Sequence, residues 1–240
     1  MRGMITREPP ENARFIDTRP EPDYLAGHLP AAHRLDLSAP RFRLRTPEEL
    51  ASFEQGLAEL NGALGLEPGT PVVCYDEGLT ARLARTAFFL ALAGNEVYLW
   101  TEGWRDQARE LGKLEPTPTR PWARFRRELL LTADEALAHP KLFDVRSAEE
   151  YRGFVHPPCC PRGGRIPGAR HAPLEHFFEP EGLLEHLEVR PGEEVGVYCH
   201  SGARSAVAFW VLRGLGVQAR NYLGSMHEWS REEDLPLDVG

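Results

Sequence analysis

Cys199 lies where a run of apolar residues gives way to small and polar ones. Residues 195–198 before it have the pattern of a buried strand, and residues 206–212 after it have that of a helix. A cysteine at such a strand-loop-helix junction is surrounded by backbone amides and by the helix N-terminus, which favour the thiolate and also bind anions. The sequence therefore predicts nucleophilic sulfur chemistry at Cys199.

The loop after Cys199 supplies the candidate substrate-binding residues. Gly202 lets the backbone curl so that successive amides point inward, as in an anion-binding nest. Arg204 can offer two parallel donors to an anion or bind the loop to its own domain. His200 and Ser201 can bond to a substrate or face solvent. The predicted substrate-binding set is His200, Ser201, Gly202, Ala203, Arg204 and Ser205.

The chain makes this construction twice. In the first half a Pro-Gly turn leads into an apolar run that ends at Asp76, just as the second-half run ends at Cys199. Two sets of residues recur, each at its own constant offset: Pro68, Tyr75 and Asp76 as Pro191, Tyr198 and Cys199, and Asp17, Arg19 and Tyr24 as Asp144, Arg146 and Tyr151. The order is kept while loop lengths differ, which predicts two copies of one domain.

Each half alternates short strand patterns with longer helical ones, which is typical of a parallel sheet with helices on its faces. Helices are predicted to open at Thr46 and Thr132, where capping patterns occur, and buried helices are predicted at 82–92 and 205–213. The predicted strands are 15–16, 72–74, 97–99, 142–143 and 195–197. We predict an α/β fold of two tandem domains, each a small, mostly parallel sheet flanked by helices: residues 1–114, a proline-rich linker at 115–121, and a catalytic domain at 122–240.

Composition narrows the classes of function. A hydrophobic content of 42% with 27% charged residues is ordinary for a soluble globular protein. The net charge of −8 argues against a nucleic-acid partner, which requires a basic surface. No apolar run approaches the length of a membrane span, and the N-terminal residues lack the pattern of an export signal, so we expect a cytoplasmic protein. Four cysteines are too few for a disulfide scaffold in such a chain.

The motifs together resemble the rhodanese family, in particular its two-domain sulfurtransferases that act on thiosulfate or 3-mercaptopyruvate. The resemblance covers nearly the whole chain and rests on residues 144–146 with Tyr151, residues 164–169, the loop 199–205, and residues 222–229. It implies that Cys199 takes a sulfane sulfur from a small anionic donor and forms a persulfide. The sulfur then passes to cyanide, a small thiol or a protein thiol, with no cofactor.

In the first half, Asp76 occupies the position of Cys199. A carboxylate cannot form a persulfide, and Asp76 together with Glu77 would place two carboxylates in the pocket and repel an anionic donor. We predict that Asp76 is the N-cap of a helix that begins near Thr80 or Ala81, and that Cys74, one step inside the strand, is buried and inert. The first half is then a non-catalytic partner.

The sequence departs from the two-domain pattern at two places that bear on the donor. The loop 200–205 is closer to that of single-domain rhodaneses, and Glu150 stands where many two-domain enzymes carry a substrate-binding arginine. Since no residue is evidently placed for the mercaptopyruvate carboxylate, we favour thiosulfate.

Two other functions share a thiolate in a loop before a helix. Cysteine-dependent phosphatases and arsenate reductases leave five residues between Cys and Arg, whereas four separate Cys199 from Arg204. A persulfide carrier that hands sulfur to a protein partner would use the same thiolate, and no sequence feature distinguishes it.

The insertion 156–161 contains two adjacent cysteines, Cys159 and Cys160. Adjacent cysteines do not readily share one tetrahedral ion, so no metal site is predicted. Either one resolves a persulfide on Cys199, if the loop reaches it, or the insertion is an ordinary surface loop. His28, His33 and His171 match turn and packing positions of the repeat and are predicted to be structural.

Overall fold

A computed structural model describes residues 5–6 and 8–240. These residues form two compact units. The C-terminal unit comprises Arg41–Glu49 and Glu128–Gly240, and the N-terminal unit comprises the described residues before Arg41 together with Leu50–Arg127. These units are defined by contacts within the fold and not by position along the chain. The domain boundaries at 1–114, 115–121 and 122–240 therefore stay a prediction.

The N-terminal unit has a five-stranded sheet in the order β1-β5-β4-β2-β3, and the ladders between these strands are parallel. The elements of the first half are β1 (Ile5–Thr6), β2 (Arg14–Asp17), α1 (Glu21–Leu25), β3 (His33–Arg34), α2 (Pro47–Ala63), β4 (Val72–Tyr75), α3 (Ala81–Leu92) and β5 (Val97–Trp100). All four residues of β4 are buried, as expected for a central strand covered on both faces.

The C-terminal unit repeats the same order of strands, as β6-β10-β9-β7-β8, again with parallel ladders. Its elements are β6 (Leu130–Leu131), α4 (Ala133–Leu137), β7 (Leu142–Asp144), α5 (Ala148–Arg152), β8 (Arg170–His171), α6 (Leu183–Leu187), β9 (Glu194–Tyr198), α7 (Ala203–Gly214), β10 (Gln218–Tyr222) and α8 (Ser225–Trp229). Two parallel sheets with one strand order confirm the predicted fold class and the internal repeat.

The predicted helix starts are largely confirmed. Thr46 and Glu49 exchange bonds at the start of α2, and Thr132 forms a capping box at the start of α4. The prediction that Asp76 caps α3 is wrong, because the Thr80 side chain accepts the bond from the amide of Leu83. Helix α7 begins at Ala203, two residues earlier than predicted, because Gly202 already turns the chain into the helix.

The central helices α3 and α7 have continuous buried stretches, at 83–92 and 205–212. Such unbroken stretches mean that these parts of the two helices are covered on all faces, unlike a surface helix with one exposed side. Among the residues that the structure describes, no helix combines the length and the apolar character needed to span a bilayer.

One segment from the first half belongs to the C-terminal unit by its contacts. Within Arg41–Glu49, the Arg43 guanidinium bonds to Glu232 at 2.6 Å, and the amide of the buried Leu44 donates to Glu228 Oε1 at 2.5 Å. Arg45 pairs with Asp234. This segment therefore packs against α8 and the residues that follow it.

A buried aspartate-arginine pair at the end of a strand explains why the same residues recur in both halves. Arg146 donates from Nε and Nη2 to Asp144, at 2.9 and 2.6 Å, and its Nη2 also donates to the Gly164 carbonyl at 2.7 Å. Arg19 makes the equivalent bonds to Asp17 and to the Gly27 carbonyl. The pair ties the end of a sheet strand to the loop across from it.

The buried pair predicts a specific cost of disruption. Asp144→Asn leaves the Arg146 guanidinium buried without its counterion and is expected to lower the free energy of unfolding by about 3–5 kcal/mol. The measurement is a urea titration followed by circular dichroism. As a control, Glu115→Gln removes an exposed partner of Lys113 and should leave the midpoint unchanged. Equal midpoints for the two variants would contradict this account of the pair.

Candidate active site

Cys199 directly follows β9 at the carboxyl edge of the C-terminal sheet. Strand β9 lies between β7 and β10, and the chain leaves β9 for β10 on one side while β7 leads to β8 on the other. The crevice at such a reversal of strand order is the usual ligand site of an open parallel sheet. The topology therefore places Cys199 where a small substrate is expected to bind.

Hydrogen-bond donors converge on the Cys199 sulfur. The residue is 1% exposed, the Ser205 hydroxyl lies 3.5 Å from Sγ, and the amides of Ser201 and Ser205 also point to it. Burial by itself raises the pKa of the thiol, but the positive charge of Arg204 and these donors outweigh it and hold the pKa below its ordinary value. The surroundings thus favour a buried thiolate.

Gly202 gives the loop its shape. It has φ of +81° and immediately precedes α7, so the first amides of the helix face the loop rather than a capping side chain. A Cβ atom at this position would lie 2.6 Å from Leu223 Cδ1 and 2.8 Å from the Leu223 carbonyl oxygen. Only glycine satisfies both the backbone conformation and this close approach.

Arg204 is bound to its own unit by Glu150. The Nη1 and Nη2 groups donate to the two carboxylate oxygens at 2.6 and 2.8 Å, a bidentate pair. Glu150 is itself held by a capping box with Ser147 at the start of α5. In the structure Arg204 therefore binds the loop to its own unit, which is one of the two alternatives given by the sequence. Its positive charge still lowers the pKa of Cys199. The sequence marks Glu150 as a departure from the two-domain pattern but carries no sign of this contact.

Ser225 is a site residue that sequence analysis missed. Its hydroxyl accepts from the Cys199 amide at 3.1 Å and donates to the Tyr222 carbonyl at 2.7 Å. The Cys199 carbonyl in turn accepts from the Met226 amide at 3.2 Å. The backbone of the nucleophile position is thus fixed on both sides. Residues 222–229 were recognised as a motif, but their spacing from Cys199 carries no signal of contact.

His200 has an unusual environment among the loop residues. Burial, with smaller contributions from the charges of Arg41 and Arg204, lowers the pKa of its imidazole to about 4. It is therefore uncharged at neutral pH. Its Nε2 atom lies 3.2 Å from the Sγ atom of Cys159.

Ala203 is the first residue of α7 and is partly exposed. The structure thus places the six predicted residues in one turn of chain beside Cys199, and their binding roles stay a prediction.

The two adjacent cysteines of the insertion have different surroundings. Cys160 is buried, donates to the Met226 carbonyl at 3.6 Å, and has a thiol pKa that burial raises. Cys159 is exposed and contacts His200. The insertion therefore reaches the loop of Cys199. Among the described residues, Cys159, His200 and His227 place potential metal-ligating atoms within 4.8 Å of one another.

The equivalent position in the N-terminal unit is closed by an ion pair. Arg82 donates to both oxygens of the buried Asp76, at 2.9 and 3.0 Å, and the hydroxyls of Thr18 and Thr80 donate at 2.8 Å. Burial raises the pKa of Asp76, but Arg82 and these bonds lower it below its ordinary value. The sequence predicts two carboxylates in this pocket that would repel an anionic donor. Instead Asp76 is neutralised, and the exposed Glu77 pairs with Arg105.

Several predicted structural residues have structural contacts. Cys74 is fully buried, and desolvation raises the pKa of its thiol far above the ordinary value. His28 lies within bonding distance of the Leu29 and Gly112 carbonyls, and His171 of the Arg146 carbonyl. His33 lies in the edge strand β3. None of these side chains is placed at the Cys199 loop by the contacts described here.

Known proteins similar to this chain agree with the fold and with sulfur-transfer chemistry. The rhodanese-like domain family matches residues 4–110 and 128–232. A thiosulfate sulfurtransferase of Azotobacter vinelandii is 26% identical over 94% of this chain and 90% of its own length. The sulfur carrier protein TtuD of Thermus thermophilus is 29% identical over 90% of this chain and 87% of its own. A solved structure described as a probable thiosulfate sulfurtransferase is 64% identical, with a TM-score of 0.91 over 96% of this chain and 99% of its own.

The Glu150-Arg204 pair predicts a pH-dependent contribution to stability. Burial raises the pKa of Glu150, but the hydrogen bonds and charge of Arg204 outweigh burial and bring the pKa below its ordinary value of 4.5. The stabilisation is therefore present above pH 4.5 and is lost as the pH falls through the lowered folded-state pKa. Glu150→Gln should cost about 1–3 kcal/mol at pH 7. The difference from the unsubstituted protein should shrink in acid.

Urea unfolding at neutral pH and at acid pH measures this difference. Glu181→Gln, at an exposed position, serves as the control and should leave stability unchanged at both pH values. A Glu150→Gln difference that stays constant with pH would show that the carboxylate charge is not what Arg204 binds.

Proposed function

Because this chain belongs to the rhodanese-like family, we propose that it is a thiosulfate sulfurtransferase in which Cys199 carries the transferred sulfur. The observation that carries the proposal is the Cys199 sulfur itself, which is buried yet has its pKa lowered by the charge of Arg204 and by donors from Ser205 and Ser201. A thiolate poised at a helix N-terminus is suited to attack an electrophilic sulfur.

The reaction is a double displacement. The Cys199 thiolate attacks the outer sulfur of thiosulfate, the S–S bond of the donor breaks, and sulfite leaves with the bonding electron pair. Cys199 then carries a persulfide. An acceptor nucleophile, such as cyanide or a thiolate, attacks the terminal sulfur, and the Cys199 thiolate departs in its original state. No net oxidant or proton is required.

The loop supports both displacements by electrostatics. The amides of Ser201 and Ser205 and the Ser205 hydroxyl stabilise negative charge on whichever sulfur bears it, first the thiolate and then the persulfide. Arg204 adds a positive charge that Glu150 holds in place. The doubly charged donor is attracted to this end of the sheet by the same groups.

The N-terminal unit has no equivalent chemistry at its matching position. Asp76 is paired directly with Arg82, and Cys74 lies inside β4 with a strongly raised thiol pKa. We therefore assign sulfur transfer to the C-terminal unit alone.

The test is the mass of the intact protein after incubation with thiosulfate. We expect one added sulfur atom per chain, mapped to Cys199 by peptide digestion and lost on adding cyanide. Cys199→Ser should abolish both the added mass and the turnover of thiosulfate with cyanide, because serine cannot form a persulfide.

Cys74→Ser is the matched control, since it alters a buried cysteine of similar size outside the loop, and it should keep activity. Sulfur mapped to Cys159 or Cys160, or normal turnover by Cys199→Ser, would refute the assignment.

A sulfur-carrier role is the second candidate, and the similarity to TtuD favours it. The thiolate chemistry is unchanged, but the acceptor would be a protein thiol. Comparing the rate of thiosulfate-to-cyanide transfer with the rate of transfer to or from a persulfidated protein separates the two roles. A carrier would exchange sulfur rapidly with the protein and turn over small acceptors slowly.

Phosphatase chemistry has less support from the site. Only four residues separate Cys199 from Arg204, one fewer than in the phosphatase loop, and one N–H of each terminal nitrogen of Arg204 already binds Glu150. Hydrolysis of an aryl phosphate is accordingly expected to be absent.

The choice of donor is tested in the sulfur-transfer assay with cyanide as acceptor. A higher kcat/KM with 3-mercaptopyruvate than with thiosulfate would identify 3-mercaptopyruvate as the preferred donor. The cytoplasmic location stays a prediction.

A further inference from the structure

Three side chains from separate segments meet beside the nucleophile loop. They are Cys159 of the insertion, His200 of the loop and His227 of α8, and one ligating atom from each lies within 4.8 Å of the other two. The shortest described separation is 3.2 Å, between Cys159 Sγ and His200 Nε2. Nothing in the proposed sulfur transfer uses Cys159 or His227.

The spacing suits a tetrahedral metal ion. With metal-sulfur and metal-nitrogen bonds of about 2.3 and 2.1 Å, neighbouring ligand atoms of a tetrahedral site lie roughly 3.5 Å apart. Small side-chain rotations bring atoms already within 4.8 Å to that separation. One thiolate and two imidazoles form a ligand set that Zn²⁺ prefers over the oxygen-seeking cations.

The backbone already holds the three segments together. The His227 amide donates to the His200 carbonyl at 2.8 Å, which joins α8 to the loop. On the other side, the buried Cys160 anchors the insertion on the Met226 carbonyl. Arg162 donates to four further carbonyls of the C-terminal segment, those of Trp229, Ser230, Glu232 and Leu235. Little ordering would therefore be needed when an ion binds.

The different directions of the two cysteines remove the objection raised by the sequence. Adjacent cysteines do not readily bind one ion together, but here only Cys159 faces the histidines, while Cys160 packs against α8. The other two ligands, His200 and His227, lie 41 and 68 positions after Cys159, a spacing that no short metal motif contains.

We propose that Cys159, His200 and His227 form a Zn²⁺ site with one coordination position open to water or to another exogenous ligand. On binding, the ion replaces the proton of the Cys159 thiol, which is released to solvent, and no oxidation or reduction takes place. Three protein ligands with an open fourth position distinguish such a site from a closed structural one. The site does not depend on the proposed sulfur transfer, because metal content is measured without it.

The test starts from protein stripped with a chelator and dialysed against Zn²⁺, followed by elemental analysis. We expect one tightly bound Zn²⁺ per chain. Replacing Zn²⁺ with Co²⁺ should produce a sulfur-to-cobalt charge-transfer band in the near ultraviolet. Cys159→Ser should abolish this band, and both Cys159→Ser and His227→Gln should weaken metal binding at least tenfold.

Two variants serve as controls for the choice of sulfur ligand. Cys160→Ser and Cys199→Ser should retain both the stoichiometry and the cobalt band, with circular dichroism confirming that every variant is folded. Failure of the unsubstituted protein to bind Zn²⁺, or unchanged binding by Cys159→Ser, would overturn the proposal. Loss of the band in Cys199→Ser would also overturn it, by placing the ion on the nucleophile.

Discussion

The constraint on which the site depends is the burial of one negative charge at the carboxyl end of a central strand. Cys199 stands at the end of β9 and Asp76 at the end of β4, and both are almost inaccessible to water. A buried anion is costly unless donors or a cation compensate it. The two units meet this requirement differently, and the difference separates a reactive group from an inert one.

In the N-terminal unit the compensation is direct. Arg82, six residues after Asp76, donates to both carboxylate oxygens and neutralises the charge. In the C-terminal unit the residue six positions after Cys199 is Ser205, whose hydroxyl and amide are dipoles rather than a full charge. They lower the thiol pKa in addition to the larger effect of the Arg204 charge, and they do so without forming an ion pair with the sulfur.

Glu150 completes this arrangement by controlling an arginine. Arg204 is close enough to lower the pKa of Cys199, yet its forked donors are bound to Glu150. The carboxylate binds the guanidinium by two hydrogen bonds, and the same cation lowers the pKa of Glu150 below its ordinary value. Arg204 thus contributes its electric field, while the loop amides and Ser205 make the direct contacts.

Local sequence by itself determined the α/β class, the internal repeat, the buried central helices and the position of Cys199 after a strand. These features depend on short-range periodicity and on turn residues, whose physical basis lies within a few residues of chain. Strand β10 was missed because its sequence, with Gln218 and Arg220, is polar and its pairing with β9 supplies what its own pattern lacks. The misassigned cap at Asp76 has a related cause: Thr80, directly before α3, caps the helix, and the Asp76 carboxylate binds Arg82 instead. Only the tertiary structure decided that Glu150 holds Arg204, that Ser225 fixes the Cys199 backbone, and that Cys159 meets two histidines. Those contacts join segments separated by tens of residues, and their partners are chosen by the packing of strands and loops, which no local pattern of residues encodes.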